Sequence, residues 1–309
     1  MLDKKLILVI ILSCVIYFIL FFFGNFQETL FKINYFFVFL ALVSTLINYL
    51  IRMFRFKYYL KVLDIPKEKS GLIFFSGLSM VITPGKIGEF LKSYLIKKIN
   101  KTPISKSAPI IVVERLGDIM GLTVLCFLGS YIFFENIVWL ILISGFLVFL
   151  IFCLKSEIIM GKIIKFLERI PKIKKYSSYF NTGQKGFNLL LNTKSLIFTI
   201  IISSFSWVFE GIALFFILKS LNIDFSILAC IFIFSFSSLL GALSQLPGGL
   251  GAAEGSFFIL FQQLGLSFTI SSSLTLLTRL VTLWFGVFIG LISLILFNFT
   301  QEKFEKSCC

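Results

Sequence analysis

Long apolar runs, separated by short basic segments, dominate the pattern of hydrophobic and polar positions along the chain. Runs of about 17–25 predominantly apolar residues predict transmembrane helices, because an α-helix rises about 1.5 Å per residue and the hydrocarbon core is about 30 Å thick. Runs of this length exclude the alternating segments of a transmembrane β-barrel. The pattern predicts an all-α polytopic membrane protein with six spans, at about residues 1–23, 33–51, 108–134, 137–154, 195–218 and 272–297.

Two further apolar segments, 71–96 and 226–266, are each interrupted by a Pro-Gly step. The arms of 71–96 have about 12–13 residues, or about 18–20 Å of helix, which is too short to cross the membrane. Both flanks of this segment are basic, so the positive-inside rule predicts that it enters and leaves on the cytoplasmic side. We therefore expect two re-entrant hairpins, although residues 226–246 alone are long enough to cross fully. The flanking basic residues are Arg52, Arg55, Lys57, Lys61, Lys67 and Lys69 before the hairpin, and Lys92, Lys97, Lys98, Lys101 and Lys106 after it.

The distribution of basic residues predicts a multi-pass protein of the cell membrane with both termini in the cytoplasm. Of the 29 Lys and Arg residues, 24 fall in segments predicted to be cytoplasmic. Each half consists of a span, a hairpin and a span, and the halves have opposite orientation. Such an inverted repeat is used by transporters for alternating access. The chain is predicted to be one membrane domain, 1–309, with a first half at 1–154, a basic cytoplasmic loop at 155–194, a second half at 195–297 and a cytoplasmic tail at 298–309.

Composition supports the membrane assignment and narrows the chemistry. The chain is 58% hydrophobic, has a mean hydropathy of +1.00 and is 14% charged, whereas soluble domains are about 25% charged. It contains no histidine, which excludes imidazole catalysis and His–metal sites. Its six cysteines form no disulfide or metal pattern, and Cys308-Cys309 is interpreted as an ordinary tail. No metal, cofactor or catalytic residue is predicted.

Charge also indicates the partners. The net charge of +14 is interpreted as cytoplasmic loops that contact anionic lipid headgroups, since basic loops are typical of that face. Membrane lipids are the predicted partners, and nucleic acid is not. A second copy of the chain and an envelope-synthesis enzyme are the two protein partners considered.

Two similar motifs interrupt the apolar pattern, one in each half. The first is Pro84-Gly85-Lys86-Ile87-Gly88-Glu89, and the second is Leu246-Pro247-Gly248-Gly249-Leu250-Gly251-Ala252-Ala253-Glu254. Both contain Pro-Gly, then Gly, then Glu. Arg115 follows the first Glu by 26 residues, and Arg279 follows the second by 25. We interpret the motifs as two copies of one broken membrane hairpin.

The backbone breaks predict either a ligand cavity or a tight kink for helix packing. Free backbone groups at membrane depth are tolerated where they are buried in protein or line a wet cavity. Glycine allows close approach to a ligand, and proline suits the first turn of the second half-helix. The N-terminus of that half-helix would attract an anion. The predicted break residues are Pro84, Gly85, Gly88, Pro247, Gly248, Gly249 and Gly251.

Charged residues in the predicted membrane segments are the candidate site residues, because each costs a few kcal/mol to bury there. They are Glu89, Glu114, Arg115, Asp118, Glu254 and Arg279, with Lys86 beside the first break. In one interpretation Arg115–Glu89 and Arg279–Glu254 are structural clamps. In the other, the two arginines bind a lipid phosphate through their two-pronged donors, and the carboxylates bind a cationic group or a coupling ion.

Other charged and small residues receive weaker assignments. Glu210, in the span 195–218, is a weaker site candidate. Arg52 and Arg55 are expected at the membrane interface, as headgroup contacts or topology anchors. Gly286 and Gly290 form a small-xxx-small pattern that predicts close helix packing.

Three motifs together resemble the signatures of the lysylphosphatidylglycerol synthase transmembrane region, the flippase-like integral membrane family. They are Pro84 to Glu89, Glu114-Arg115-Leu116-Gly117-Asp118, and Leu246 to Gly255, and the resemblance covers nearly the whole chain. It implies movement of modified phospholipids or isoprenoid-linked lipids between leaflets. Full synthases of this family add a soluble aminoacyl-transfer domain, and lysyl transfer is not expected of this chain.

We therefore expect a flippase-like lipid transporter driven by a gradient or by mass action, since no nucleotide-binding motif is present in the sequence. Two alternatives remain open at this point. One is a membrane enzyme that acts on a carrier lipid with Glu89 or Glu254 as acid or base. The other is a scaffold for an enzyme of cell-envelope glycolipid synthesis.

Overall fold

The structure is a computed structural model that describes residues 17–18, 21–22, 26–83, 88–133, 138–156, 158–159, 161 and 177–307. Every regular element in this part of the chain is helical, which confirms the all-α polytopic class. Most of the predicted span 1–23, together with Pro84, Gly85, Lys86, Cys308 and Cys309, lies outside the described residues. The helices are α1 Phe26–Lys32, α2 Tyr35–Val62, α3 Ser70–Leu78, α4 Leu91–Asn100, α5 Ile104–Phe133, α6 Val138–Lys155, α7 Ser177–Leu190, α8 Thr193–Ser220, α9 Ile227–Leu243, α10 Ala252–Gln263, α11 Phe268–Arg279 and α12 Phe285–Ser307.

Within the described residues, three helical stretches are long and apolar enough to cross a membrane: α2, α8 and Phe268–Thr300. The last of these is continuous, because a π-helical turn at Leu280–Trp284 joins α11 to α12. Helix α5 is also long, with 30 residues, but it carries the charged triplet around Arg115. Capping residues begin several of these helices, because their side chains accept hydrogen bonds from the first turn. They are Asn34 for α2, Asn192 for α8, Ser226 for α9 and Ser267 for α11.

Helix α2 is longer than its predicted span 33–51 and continues to Val62. No glycine or proline occurs between Ile51 and Val62, so nothing in that segment ends the helix. The prediction of a basic loop that begins at Arg52 is therefore wrong. The predicted loop 155–194 likewise contains α7, which packs against α5.

Both predicted hairpins are broken helices. Helices α3 and α4 contact each other across the first break, and α9 and α10 contact each other across the second. With 9 and 10 residues, α3 and α4 are each about 14–15 Å long, far short of a bilayer core of about 30 Å. Helix α10 has 12 residues and α9 has 17, or about 18 and 26 Å. Re-entry with respect to the two membrane faces remains a prediction.

The second break depends on left-handed backbone at three glycines. The φ angles of Gly248, Gly249 and Gly251 are 61°, 70° and 89°, which side-chain-bearing residues rarely adopt. Pro247 begins a short 3₁₀ turn, Pro247–Gly249, and α10 begins only at Ala252. The prediction that Pro247 starts the second half-helix is therefore wrong, because the left-handed residues separate it from that helix.

The last helix packs directly on the first break. A Cβ atom at Gly290 would lie 2.2 Å from the backbone nitrogen of Ser79, and one at Gly286 would lie 2.5 Å from the hydroxyl of Tyr49. The neighbouring atoms can approach the helix this closely only because both residues lack a side chain. The predicted packing role of the small-xxx-small pattern is confirmed.

Hydrogen bonds connect α2 and α8 along a polar seam between the two halves. The Ser44 hydroxyl donates to the Phe209 carbonyl at 2.6 Å, and the Asn48 amide donates to the Ser206 carbonyl at 2.7 Å. Interhelical hydrogen bonds of this kind each contribute about 0.6–2 kcal/mol within a membrane. The seam therefore joins the halves through several weak contacts.

Candidate functional site

A cavity of about 160 Å³ lies between the two halves. Leu78 and Val81, which lie at and after the end of α3 and before the first break, line it, and so do Leu246, Gly248 and Gly249 from the second break. Helices α2, α5, α8, α9 and the last helix complete its wall. The structure thus brings the segment that precedes the first break and the second break itself to one internal space.

The cavity lies near the midpoints of the three candidate spans. Tyr49 and Arg52 line it from α2, and Trp207 and Glu210 line it from α8. Each lies within about one helical turn, or about 3.6 residues, of the midpoint of its helix. Thr282 lies equally close to the midpoint of Phe268–Thr300. Substrate sites of inverted-repeat transporters have this position.

Three arginines and two carboxylates line the cavity. Arg52, Arg115 and Arg279 come from α2, α5 and α11, and the carboxylates are Asp118 and Glu210. The formal charge of these five side chains is +1. Surrounding apolar walls focus the field of such charges and favour an anion in the cavity.

Asp118 holds two arginines of α2. Its Oδ1 is 2.8 Å from Nη2 of Arg55, and its Oδ2 is 3.1 Å from Nη2 of Arg52. Both arginine side chains are less than a tenth exposed. The expectation that Arg52 and Arg55 lie at the interface is wrong, because both are buried inside the protein, where they pair with a carboxylate 66 and 63 residues away.

Glu89 and Arg115 form the ion pair of the clamp interpretation, and Arg115 also lies 3.4 Å from Asp118. Lys92 extends the network, since its Nζ is 2.6 Å from Glu114 and 3.4 Å from Glu89. The prediction that Lys92 belongs to the basic cytoplasmic flank of the first hairpin is wrong, because its side chain is buried, at 2% exposed. The first half therefore holds a continuous network of seven charged residues.

Glu254 and Arg279 form the second ion pair, with a distance of 2.6 Å between Oε1 and Nε. Arg279 also donates to the Gly248 carbonyl at 2.6 Å, and the Gly251 amide donates to Oε2 of Glu254 at 2.7 Å. The Tyr17 hydroxyl donates to Glu254 as well, at 3.1 Å. Glu254 itself thus occupies the N-terminus of α10, where an external anion was expected.

Three of the residues that line the cavity also carry a buried donor that these pairs leave without an acceptor among the described residues. The buried Nε–H groups of Arg52 and Arg115 have no hydrogen-bond acceptor among the described residues. The same holds for the indole N–H of Trp207, whose ring lies 5.3 Å from the Arg52 guanidinium. A buried donor without an acceptor costs about 1–3 kcal/mol, so these groups favour a ligand with acceptor oxygens.

Glu210 has a different environment from the other candidate carboxylates. It is 3% exposed and accepts a hydrogen bond from the Thr45 hydroxyl at 3.2 Å. No ion pair of Glu210 is found within the described ranges. The weaker sequence candidate therefore lines the cavity, whereas Glu89, Glu114 and Glu254 lie behind its wall.

The predicted site residues divide into three groups. Arg115, Arg279, Asp118, Gly248 and Gly249 line the cavity. Those that are described and do not line it are Glu89, Glu114, Glu254, Gly88, Pro247 and Gly251, and those outside the described residues are Lys86, Pro84 and Gly85. Over the described ranges, no group of three or more Cys, Asp or Glu residues is arranged to hold a metal ion.

Sequence reasoning missed Arg52 and Trp207 as cavity residues. A signal for Arg52 was present: it continues an apolar run without a helix-breaking residue, and Arg55 follows at helical spacing. That pattern favours a helix face over a loop. Trp207 gave no comparable signal, because single aromatic residues are common in apolar spans.

Comparisons with known proteins find a matching family model and several similar membrane proteins. A family model for the lysylphosphatidylglycerol synthase transmembrane region matches residues 6–290. A UPF0104 membrane protein from Methanocaldococcus jannaschii is 29% identical over 221 residues, which cover 68% of this chain and 90% of that protein. A second protein of that description from the same organism is 24% identical over 294 residues, or 86% of each chain. One from Methanothermobacter thermautotrophicus is 25% identical over 219 residues, covering 64% of this chain and 65% of that protein.

Proposed function

The chain belongs to the lysylphosphatidylglycerol synthase transmembrane-region family, and from this membership and the geometry of the cavity we propose that it moves a phosphate-bearing lipid between membrane leaflets. The lipid is a phospholipid or an isoprenoid-linked lipid. In this proposal the headgroup occupies the central cavity, and rocking of the two halves exposes it to each side in turn. Both termini are cytoplasmic, and the hairpins open to opposite faces.

The observation that carries the proposal is the convergence of three arginines on one cavity. Arg52, Arg115 and Arg279 come from three different helices. Guanidinium groups match phosphate oxygens in a two-pronged geometry. The free Nε–H groups of Arg52 and Arg115 can bind phosphate while their other nitrogens stay paired with Asp118 and Glu89.

The size of the cavity supports a headgroup rather than a whole lipid. Its volume of about 160 Å³ is below the roughly 300–1,000 Å³ of pockets that enclose drug-sized ligands. We expect the acyl or prenyl chains to remain outside, against the apolar surface of the helices. That surface includes exposed side chains such as Phe39, Phe205 and Phe288.

The test measures headgroup exposure in liposomes that contain the purified protein and a fluorescent phosphatidylglycerol analogue. Arg52→Lys, Arg115→Lys and Arg279→Lys keep the positive charge and remove the two-pronged donor, so we expect each to lower the rate about tenfold or more. Arg55→Lys is the matched control, because Arg55 shares Asp118 with Arg52 and does not line the cavity. Its rate should fall less than that of Arg52→Lys.

Three outcomes would contradict the proposal. Unchanged rates in all three cavity variants would exclude phosphate binding by these arginines. Conversion of a labelled prenyl phosphate to a new product would favour the membrane enzyme. A co-purified envelope enzyme whose activity is insensitive to the same variants would favour the scaffold.

A further inference from the structure

Glu210 differs from the other buried carboxylates of the membrane region in having no cationic partner within the described residues. Glu89, Glu114, Asp118 and Glu254 each form an ion pair with Lys or Arg. Glu210 is equally buried, at 3% exposed, and lines the central cavity. A buried carboxylate without an ion-pair partner is costly, and a proton or a cation bound at Glu210 would remove that cost.

The charged neighbours of Glu210 are engaged elsewhere. From α2, Arg52 is paired with Asp118 and the Tyr49 hydroxyl donates to the Thr282 carbonyl. From α5 and α11, the cavity receives Arg115, Asp118 and Arg279, which belong to the two ion-paired groups described above. Helix α9 adds Phe234 and Ser238 to the wall and no ionisable group.

Additional oxygen ligands lie beside Glu210 on the seam between α2 and α8. The Thr45 hydroxyl is 3.2 Å from Oε2 of Glu210. Asn48, one turn further along α2, hydrogen-bonds Ser206, one turn before Glu210 on α8. Asn48 is fully buried, and its Oδ1 has no hydrogen-bond donor within the described part of the chain. A buried acceptor without a donor, one turn from the Thr45–Glu210 contact on the same seam, is a second observation that is consistent with a cation there.

We propose that Glu210 binds a monovalent cation, a proton or Na⁺, whose movement is coupled to that of the lipid; this inference rests on the proposed lipid transport. A phosphate bound by Arg52, Arg115 and Arg279 would remove the positive charge that offsets Glu210. Neutralising Glu210 therefore strengthens lipid binding, and by reciprocity bound lipid strengthens cation binding. The two ligands then cross the membrane together.

The experiment measures the steady-state ratio of the fluorescent phosphatidylglycerol analogue between leaflets of proteoliposomes, under an imposed cation gradient. One arm uses a proton gradient without Na⁺, and the other uses a Na⁺ gradient at equal pH on both sides. For one-to-one coupling, a tenfold cation gradient shifts the lipid ratio up to about tenfold, since each tenfold factor corresponds to about 1.4 kcal/mol. The arm that responds identifies the cation.

Glu210→Gln should abolish this shift, because the amide is neutral without a cation. A steady-state ratio does not depend on the rate of transport, so a slower variant still reports coupling. Thr45→Val removes the hydrogen bond to Glu210 and should reduce the shift, whereas Ser44→Ala, whose hydroxyl donates to Phe209 instead, should retain it.

Different results would contradict lipid transport and cation coupling. Absence of any protein-dependent lipid movement would contradict lipid transport itself. Lipid that equilibrates rapidly and responds to neither gradient would overturn cation coupling and leave transport intact. A full gradient response in Glu210→Gln would also overturn it.

Discussion

The two Glu–Arg pairs are similar in sequence and are supported in different ways. Arg115 and Glu89 belong to a network of side chains that includes Asp118 and Lys92. Arg279 and Glu254, in contrast, bind backbone groups of the second break. The repeated motif therefore fixes charge positions in the first half and loop shape in the second.

This difference changes what each pair contributes to the cavity. In the first half, Asp118 orients Arg52 and Arg115 together, so the loss of one side chain affects two donors. In the second half, Arg279 holds the Gly248 carbonyl, so its loss releases the break itself. We therefore expect the loss of Glu89 from the network to destabilise the protein less than the loss of Glu254 from the clamp, and substitutions can test this directly.

The largest effect is expected from Asp118→Ala. It leaves Arg55 and Arg52 buried, at 0% and 8% side-chain exposure, without their carboxylate. We expect the free energy of unfolding to fall by about 5 kcal/mol, the upper end for a broken buried ion pair. Unfolding in mixed detergent micelles measures it. Asp224→Ala is the control, because its carboxylate is 80% exposed and such pairs contribute at most about 1 kcal/mol; equal losses would refute the burial argument.

The next effect compares the two glutamates of the motif. Glu254→Ala leaves Arg279 8% exposed without a carboxylate and frees the Gly251 amide, so we expect a loss of about 3 kcal/mol. Glu89→Ala should cost only about 1–2 kcal/mol, because Arg115 is 20% exposed and keeps Asp118. The same unfolding measurement ranks them. A larger loss for Glu89→Ala would reverse the proposed contrast between network and clamp.

The smallest effect concerns the backbone of the second break. Gly251 has φ 89° and ψ −56°, a conformation that strains alanine, so Gly251→Ala should cost about 1 kcal/mol, the lower end for a strained backbone position. Gly255→Ala, four residues later, meets no atom within 4 Å and should be neutral or stabilise the protein by up to about 1 kcal/mol. Equal thermal stability of the two variants would show that the left-handed backbone is not required.

The sequence was sufficient for features that depend on local pattern. Apolar runs predicted the three stretches that are long and apolar enough to cross a membrane within the described residues, and the interval from Glu89 to Arg115 predicted a pair that the structure contains. Partners of Arg52 and Arg55 could not be predicted, since Asp118 is remote in sequence and the positive-inside rule counts charges without their partners. Glu210 received too little emphasis for the same reason: its importance arises from the absence of an ion pair in the described structure, which only a three-dimensional arrangement reveals.

The last helix has one consequence for motion. Arg279, immediately before the π-helical turn, holds the second break, and Gly290, six residues beyond that turn, packs against Ser79 at the end of α3. A π-helical turn contains one residue more than an α-helical turn, and one residue corresponds to about 100° of rotation. The π-helical turn Leu280–Trp284 therefore determines the angle about the helix axis between the contacts made by Arg279 and Gly290. If the π-helical turn moved along the helix past one of these contacts, that contact would rotate about the helix axis relative to the other. A local change in the backbone hydrogen bonds would then turn the two breaks relative to each other.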